Sequence, residues 1–157
     1  MTLVSNHASA QTFEVPTDYV FDSTTDYSLY EEAVVDCFNW LMDSPCNIDL
    51  VKRKAATSFL NKWIEQTPTI TVTVNQDIVT YYNSSPDLLI IFMGGWVANA
   101  ITTGDSLDYD GALAGTKAVL TYYQKNKDYL KQDDHIDKLI VRQAKGKLEK
   151  YIRFALK

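Results

Sequence analysis

The chain has 157 residues, of which 46% are apolar and 22% charged, with six glycines and four prolines. These proportions fit one globular domain and exclude a wholly disordered or collagen-like chain. The net charge of -5 is unevenly spread: residues 1–116 hold 4 Lys/Arg against 15 Asp/Glu, and residues 117–157 hold 11 against 5. This asymmetry is typical of a basic binding arm. It also fits basic helices that dock on an acidic body, and the helical periodicity described below favours that second interpretation.

Residues 1–26 lack helical periodicity and are predicted to form an extended N-terminal arm before a single helical domain at 27–157. Within the arm, Ala8-Ser9-Ala10 has the small-x-small pattern of a signal-peptide cleavage site. A signal-peptide remnant at 1–10 predicts a periplasmic or extracellular protein, whereas a chance match predicts a cytoplasmic one. No stretch has the ~18 consecutive apolar residues of a membrane span, so no transmembrane segment is expected.

Two helices are predicted in the first half of the chain. The first has apolar residues at helical spacing and stops at Pro45. The second begins near Asn47 and ends before Pro68. Because few residues join these helices, we expect them to pair as an antiparallel hairpin. The apolar stripe of the first helix consists of Tyr30, Ala33, Val34, Cys37, Phe38 and Leu41.

A β-like segment follows at 69–74, where Thr alternates with Ile or Val. This period-two pattern of β-branched residues is typical of a strand. No second segment of equal quality is available to pair with it, so we expect an extended connector or a lone edge segment. A short helical turn is predicted next, capped by Asn75, with Ile78, Tyr81 and Tyr82 as its apolar residues.

Three more helices are predicted in the second half. Ser85-Pro86-Asp87 combines an N-cap, a proline at the first helical position and an acid, and this third long helix runs to about Thr102. It is apolar nearly all round and should be the central helix. A fourth helix spans roughly 110–125, and a fifth continues for about five turns after Asp133-Asp134. The elements predict an all-α fold: an antiparallel bundle or array of about five long helices plus a short one, with one extended β-like segment at 69–74.

Three short motifs point weakly to chemistry. Gly104–Leu107 spells GDSL, a serine-esterase motif, but the residue three before His135 is Gln132 and not the required Asp. The loop from Ser106 to Gly111 resembles a calcium loop, although Lys117 would occupy the position of its bidentate acid. The carboxylates around His135 are explained by capping at a helix start. We therefore predict no catalytic residue, no metal ligand and no cofactor.

The most distinctive segment is the glycine pair inside the third helix. Two helical glycines cost roughly 1 kcal/mol each relative to alanine, so something should compensate for them. Close approach of another helix is the usual reason. The alternative is a hollow that takes a small apolar ligand. The candidate ligand-binding residues are Met93, Gly94, Gly95, Trp96 and Tyr109.

The order of features along the chain resembles a known family. The relevant segments are Trp40 with Ser44-Pro45, Trp63-Ile64 with Thr67-Pro68, the Thr/Val stretch, Ile91–Trp96, and Ala114–Val119 ahead of Tyr123. Together they resemble a family of short, uncharacterised, exported helical proteins of Bacteroidota-type bacteria. The resemblance implies a helical fold and an extracytoplasmic address, and it implies no activity.

The sequence predicts a non-enzymatic interaction or binding protein of the cell envelope, because no catalytic constellation can be assembled from it. One alternative is a carrier for a small apolar ligand, with its pocket near Gly94-Gly95-Trp96. Another is a small enzyme built on paired carboxylates. The expected partner is a protein or a small apolar ligand. Nucleic acid is not expected, since a chain with a pI near 4.9 repels it.

Overall fold

A computed structural model describes residues 13–81 and 85–157, and these ranges contain seven helices and no strand. The predicted all-α class is therefore confirmed. The helices are α1 (Thr24–Leu29), α2 (Glu31–Asp43), α3 (Leu50–Gln66), α4 (Pro86–Thr103), α5 (Asp108–Lys125), α6 (Asp134–Ala144) and α7 (Leu148–Ala155).

The central element is α4, which packs against α2, α3 and, most extensively, α5. Its ends follow from local chemistry. Pro86 has no N–H to leave unpaired, and Gly104 closes the helix with φ 72°, a left-handed conformation that glycine adopts without strain. By length and composition α4 could also cross a membrane, but more than half of it is buried inside the molecule, as in a core helix. The described residues thus show no clear transmembrane segment.

The arm leads directly into the first helices. Phe13, Val15, Tyr19 and Phe21 pack on the core from the irregular segment before α1. The α1 helix begins at Thr24, inside the predicted arm, because the Asp26 carboxylate accepts hydrogen bonds from two preceding backbone N–H groups and thereby fixes the helix start. The predicted first helix corresponds to α2, which buries Val34, Cys37 and Leu41.

The prediction of one continuous helix after Asp134 is wrong. The chain breaks between α6 and α7 at Gly146, whose φ is 65°, and the N–H of Lys147 bonds back to the carbonyl of Arg142. This arrangement is a glycine helix end. An unbroken helix would have turned Gln143 and Lys147 toward the core. The break leaves both exposed and lets each helix bury its own apolar residues, which are Ile136 and Leu139 on α6 and Leu148 and Ile152 on α7.

The β-like character of 69–74 is not confirmed. Ile70 is buried and Thr71 and Thr73 are exposed, as period two requires, but no strand is present in the described ranges to pair with the segment. The predicted short helical turn after it is present as a single turn and not as a longer helix. The N–H of Val79 bonds to the carbonyl of Asn75, and the Asn75 side chain accepts the N–H of Asp77. Ile78 and Tyr81 are buried, and Tyr82 lies outside the described residues.

Candidate functional site

The glycine pair of α4 lies where three helices pack closely. A Cβ on Gly94 would lie 2.8 Å from Cδ2 of Phe38 on α2. A Cβ on Gly95 would lie 2.8 Å from the Cβ of Ala118 and 3.1 Å from the Cα of Gly115, both on α5. The two distances of 2.8 Å are shorter than real Cβ contacts, so neither position has room for a side chain unless its neighbours shift. Close helix approach therefore accounts for the two glycines.

The other predicted ligand-binding residues lie in the core or pack against it. Trp96 is fully buried. It packs so closely on Gly111 that a Cβ built on Gly111 would lie 2.1 Å from the Trp96 ring. Met93 is half-buried against the core, and the ring of Tyr109 is covered by the Arg153 guanidinium at 3.7 Å from the centroid. A ligand-binding role for these residues stays a prediction, and the cavities described below are lined by others.

The GDSL loop and the carboxylates around His135 form hydrogen bonds at the ends of helices. The Asp105 carboxylate accepts the N–H of Leu107 in the connection between α4 and α5. The Asp133 carboxylate caps α6 by accepting the N–H groups of His135 and Ile136. Within 13–81 and 85–157, no group of three or more His, Cys, Asp or Glu residues is placed to hold a metal ion.

A groove of about 1090 Å³ opens beside α2, and we call it the acidic groove. Three separate parts of the chain form it: the start of the described arm, the outward face of α2, and the connection into α3. Its charged lining consists of five carboxylates and one ammonium group. These residues are Glu14, Glu32, Asp36, Asp43, Asp49 and Lys52.

The α2 helix places its lining residues by simple periodicity. Glu32, Asp36, Trp40 and Asp43 recur at intervals of three or four and therefore share one face. The opposite face carries Val34, Cys37 and Leu41, which are buried. Burial of that apolar face fixes the rotation of α2 and directs its carboxylates into the groove.

Two aromatic rings form the floor of the acidic groove. The centroids of Phe13 and Trp40 are 6.4 Å apart. The Lys52 ammonium lies 4.9 Å from the Trp40 ring centroid and donates a hydrogen bond to the backbone carbonyl of Phe13, which joins the arm to α3. The Arg53 guanidinium also faces Trp40, at 5.5 Å. The floor thus already stabilises cations through its ring faces.

Arg53 holds the wall of the groove in place. It is only 8% exposed, and its guanidinium donates to the carbonyls of Ser44 and Pro45 at 2.8 Å and to the Tyr122 hydroxyl at 3.3 Å. Because these acceptors are neutral, Arg53 orders the connection between α2 and α3 without using a carboxylate of the groove. Burial raises the pKa of Tyr122 to about 12, against the lowering effect of Arg53, so this hydroxyl stays protonated at neutral pH.

The carboxylates of the acidic groove form no ion pair in the described part of the chain. All five are exposed, and the single ion pair of that part joins Lys127 and Asp137 at 3.8 Å. The cations near them are Lys52 in the lining and Lys125, whose ammonium donates to the backbone carbonyls of Met42 and Asp43. A cleft lined mostly by one sign of charge concentrates ions of the other sign. The lining residue Leu29 is 73% exposed.

Four of the eleven Lys and Arg residues of 117–157 lie around the turn between α6 and α7. We call this surface the basic corner; Lys138, Val141, Arg142, Lys145 and Lys147, together with the acids Asp134 and Asp137, line a hollow of about 550 Å³ there. The predicted docking of the basic helices on the body is present, but in the described ranges no ion pair links them to it. They attach instead through their buried apolar residues and through hydrogen bonds, among them those from Asn75 to the Ala155 carbonyl, from Tyr151 to the Asp77 carbonyl and from Lys125 to the carbonyls of Met42 and Asp43.

Comparisons of the sequence with protein-family models and curated proteins, and of the structure with solved structures, gave no match.

Sequence reasoning missed the acidic groove. One signal for it was present, because Glu32, Asp36 and Asp43 repeat on the polar side of a clearly amphipathic helix that also carries Trp40 there. That spacing alone is equally typical of an ordinary solvated helix face. What distinguishes the two is the approach of Phe13 and Lys52 from distant parts of the chain.

Proposed function

We propose that this protein is a non-enzymatic binding protein whose acidic groove recognises a cationic, partly apolar segment of a partner. The observation that carries the proposal is the combination, in one groove, of five exposed carboxylates with a floor of Phe13 and Trp40. Carboxylates attract cationic groups over a distance, and the two rings, whose faces already hold Lys52 and Arg53, offer apolar contact to the rest of the segment.

Solvent exposure of the carboxylates favours binding over catalysis. A carboxyl group that acts as a general acid near neutral pH is usually desolvated, and a reacting centre is usually closed off from water. The five carboxylates of the acidic groove lie open to solvent instead. Because these carboxylates are exposed, a cationic partner can replace the water and salt ions that surround them.

The open form of the groove favours a segment of a protein over a small molecule. Small-ligand pockets bury most of the surface of their ligand, whereas this groove of about 1090 Å³ is open to solvent. Leu29 on its wall is exposed and supplies apolar contact area of the kind found at protein interaction sites.

A location in the cell envelope belongs to the same proposal. It is supported by Ala8-Ser9-Ala10, which lies outside the described residues, and by the family resemblance of the sequence. A basic partner would then be met in the periplasm or outside the cell.

The test uses a fluorescein-labelled synthetic peptide of alternating lysine and leucine, with binding measured by fluorescence anisotropy. We expect Asp36→Asn combined with Asp43→Asn to weaken binding about tenfold, since each lost charge pair is worth up to about 1 kcal/mol. The matched control removes two exposed acids elsewhere, Glu65→Gln with Asp128→Asn, and should change affinity much less. Equal weakening by both pairs would show that net charge alone governs binding, and would overturn the proposal.

A further inference from the structure

The acidic groove and the basic corner carry opposite charge on the same chain. The groove holds five carboxylates against one ammonium group, Lys52, which is already engaged with Phe13 and Trp40. The corner holds four cationic side chains against two carboxylates, Asp134 and Asp137, and Asp137 is already paired with Lys127. Each surface is left with unpaired charge that is opposite in sign to that of the other.

The two surfaces do not satisfy each other within one molecule. The groove lies along α2, whose main packing partners are α1, α3 and α4, whereas α6 and α7 pack on α5 and on each other. Over the described ranges, no ion pair joins a groove carboxylate to a corner cation. Their complementarity can therefore be used only between molecules.

The exposure of the corner fits this use. All seven residues from Val141 to Lys147 are exposed, so the turn between α6 and α7 is accessible to a second molecule. The groove is concave and open. Each surface also exposes a large aliphatic side chain, Val141 on the corner at 51% and Leu29 on the groove at 73%. Contact between the surfaces would cover apolar area as well as pair charges.

We propose that the partner of the acidic groove is the basic corner of a second copy of this chain. The inference rests on the proposed function, since it names the cationic segment that the groove receives. The contact joins two different surfaces, so each added copy leaves one groove and one corner free. Such heterologous contacts generate rings if they close and open chains of molecules if they do not.

The test disables each surface separately by mutation. The mass of the assemblies is followed by sedimentation velocity at low ionic strength. One variant blocks the groove with Asp36→Lys and Asp43→Lys, and the other weakens the corner with Lys138→Gln and Lys145→Gln. All four side chains are exposed, so the fold should tolerate the changes, and circular dichroism checks this. We expect the wild-type chain to grow beyond a dimer with rising concentration and to dissociate on addition of salt.

The self-association of each variant alone should be about tenfold weaker in affinity, or weaker still, than that of the wild-type chain. An equimolar mixture of the two should form a dimer and nothing larger, because only one groove and one corner remain functional. The matched control, Lys131→Gln with Lys157→Gln, removes two exposed cations outside the corner and should leave wild-type assembly intact.

A wild-type chain that stays monomeric at its highest soluble concentration would overturn the inference. If the lysine–leucine peptide still binds the groove in that case, the proposed function stands and the partner is another protein. Assembly that persists in both variants would also overturn the inference, because the contact would then use other surfaces.

Discussion

Gly115 shows how one missing side chain sets the distance between two helices. A Cβ at this position would lie 2.5 Å from the backbone carbonyl oxygen of Phe92 on α4. A backbone atom cannot rotate away as a side chain can, so α4 and α5 would have to separate. Together with Gly95, which faces Gly115 across the contact, this residue permits the most extensive helix packing in the molecule.

Gly115→Ala is therefore expected to destabilise the protein. Alanine is favoured over glycine in a helix by about 1 kcal/mol, but overpacking of this severity costs up to about 3 kcal/mol. We expect the free energy of unfolding in urea to fall by about 1–2 kcal/mol. Thr121→Ala, an exposed position on the same helix, should leave it unchanged or slightly raised. A stabilised Gly115→Ala variant would contradict the packing described here.

Single residues also show the limit of prediction for the glycine pair. The sequence indicated that the free-energy cost of placing Gly94 and Gly95 inside a helix had to be compensated. It left close helix packing and a hollow for a ligand as alternatives. Choosing between them requires the positions of Phe38 and Ala118, which approach from helices distant in sequence. Periodicity within α4 carries no information about either contact.

At the scale of elements, α7 is held partly by polar contacts at its edges. The Tyr151 hydroxyl donates to the backbone carbonyl of Asp77 at 2.6 Å, and Asn75 donates to the carbonyl of Ala155. Both contacts join the C-terminal helix to the turn after the Thr/Val segment. They give that irregular connection a structural role despite its lack of a partner strand.

Tyr151→Phe removes one of these contacts without removing the ring. A hydrogen bond of this kind contributes about 1 kcal/mol, so we expect amide hydrogen exchange in α7 to accelerate about fivefold. Exchange in α4, which opens only with the whole core, should accelerate much less. Phe154→Ala, at a side chain that is 76% exposed, should leave both helices unchanged. Faster exchange in α4 to the same degree as in α7 would instead indicate global destabilisation.

Elements were predictable where their signals were local. The start of α4 at Pro86 and its end at Gly104 follow from the chemistry of proline and glycine, and both lie where the sequence placed them. The break at Gly146 was missed because apolar spacing continues across it, although Gln143 and Lys147 on either side were poor candidates for a buried face. The Thr/Val segment was β-like only in pattern, since a strand needs a partner that the described ranges lack.

At the scale of the whole molecule, the charge asymmetry of the sequence takes a definite spatial form. Negative charge lines a concave groove beside α2, and positive charge predominates around the turn between α6 and α7. Complementary charge does not hold the two halves of one molecule together, because apolar burial and hydrogen bonds to the backbone do that. The separated charges are thus free for recognition. The groove could not be predicted from sequence, because it joins distant parts of the chain. The corner is local in sequence, and it was missed because the helix break at Gly146 was missed.

Trp40 provides the most direct measurement of recognition at the groove. It is the partly exposed tryptophan, whereas Trp63 and Trp96 are completely buried, so changes in emission on binding report on the groove floor. We predict that unlabelled lysine–leucine peptide shifts the emission of the wild-type protein and protects it from acrylamide quenching. Trp40→Phe should abolish both responses while retaining most of the affinity measured by anisotropy. Peptide binding that leaves the emission unchanged, or that shifts it equally in Trp40→Phe, would contradict recognition in the acidic groove.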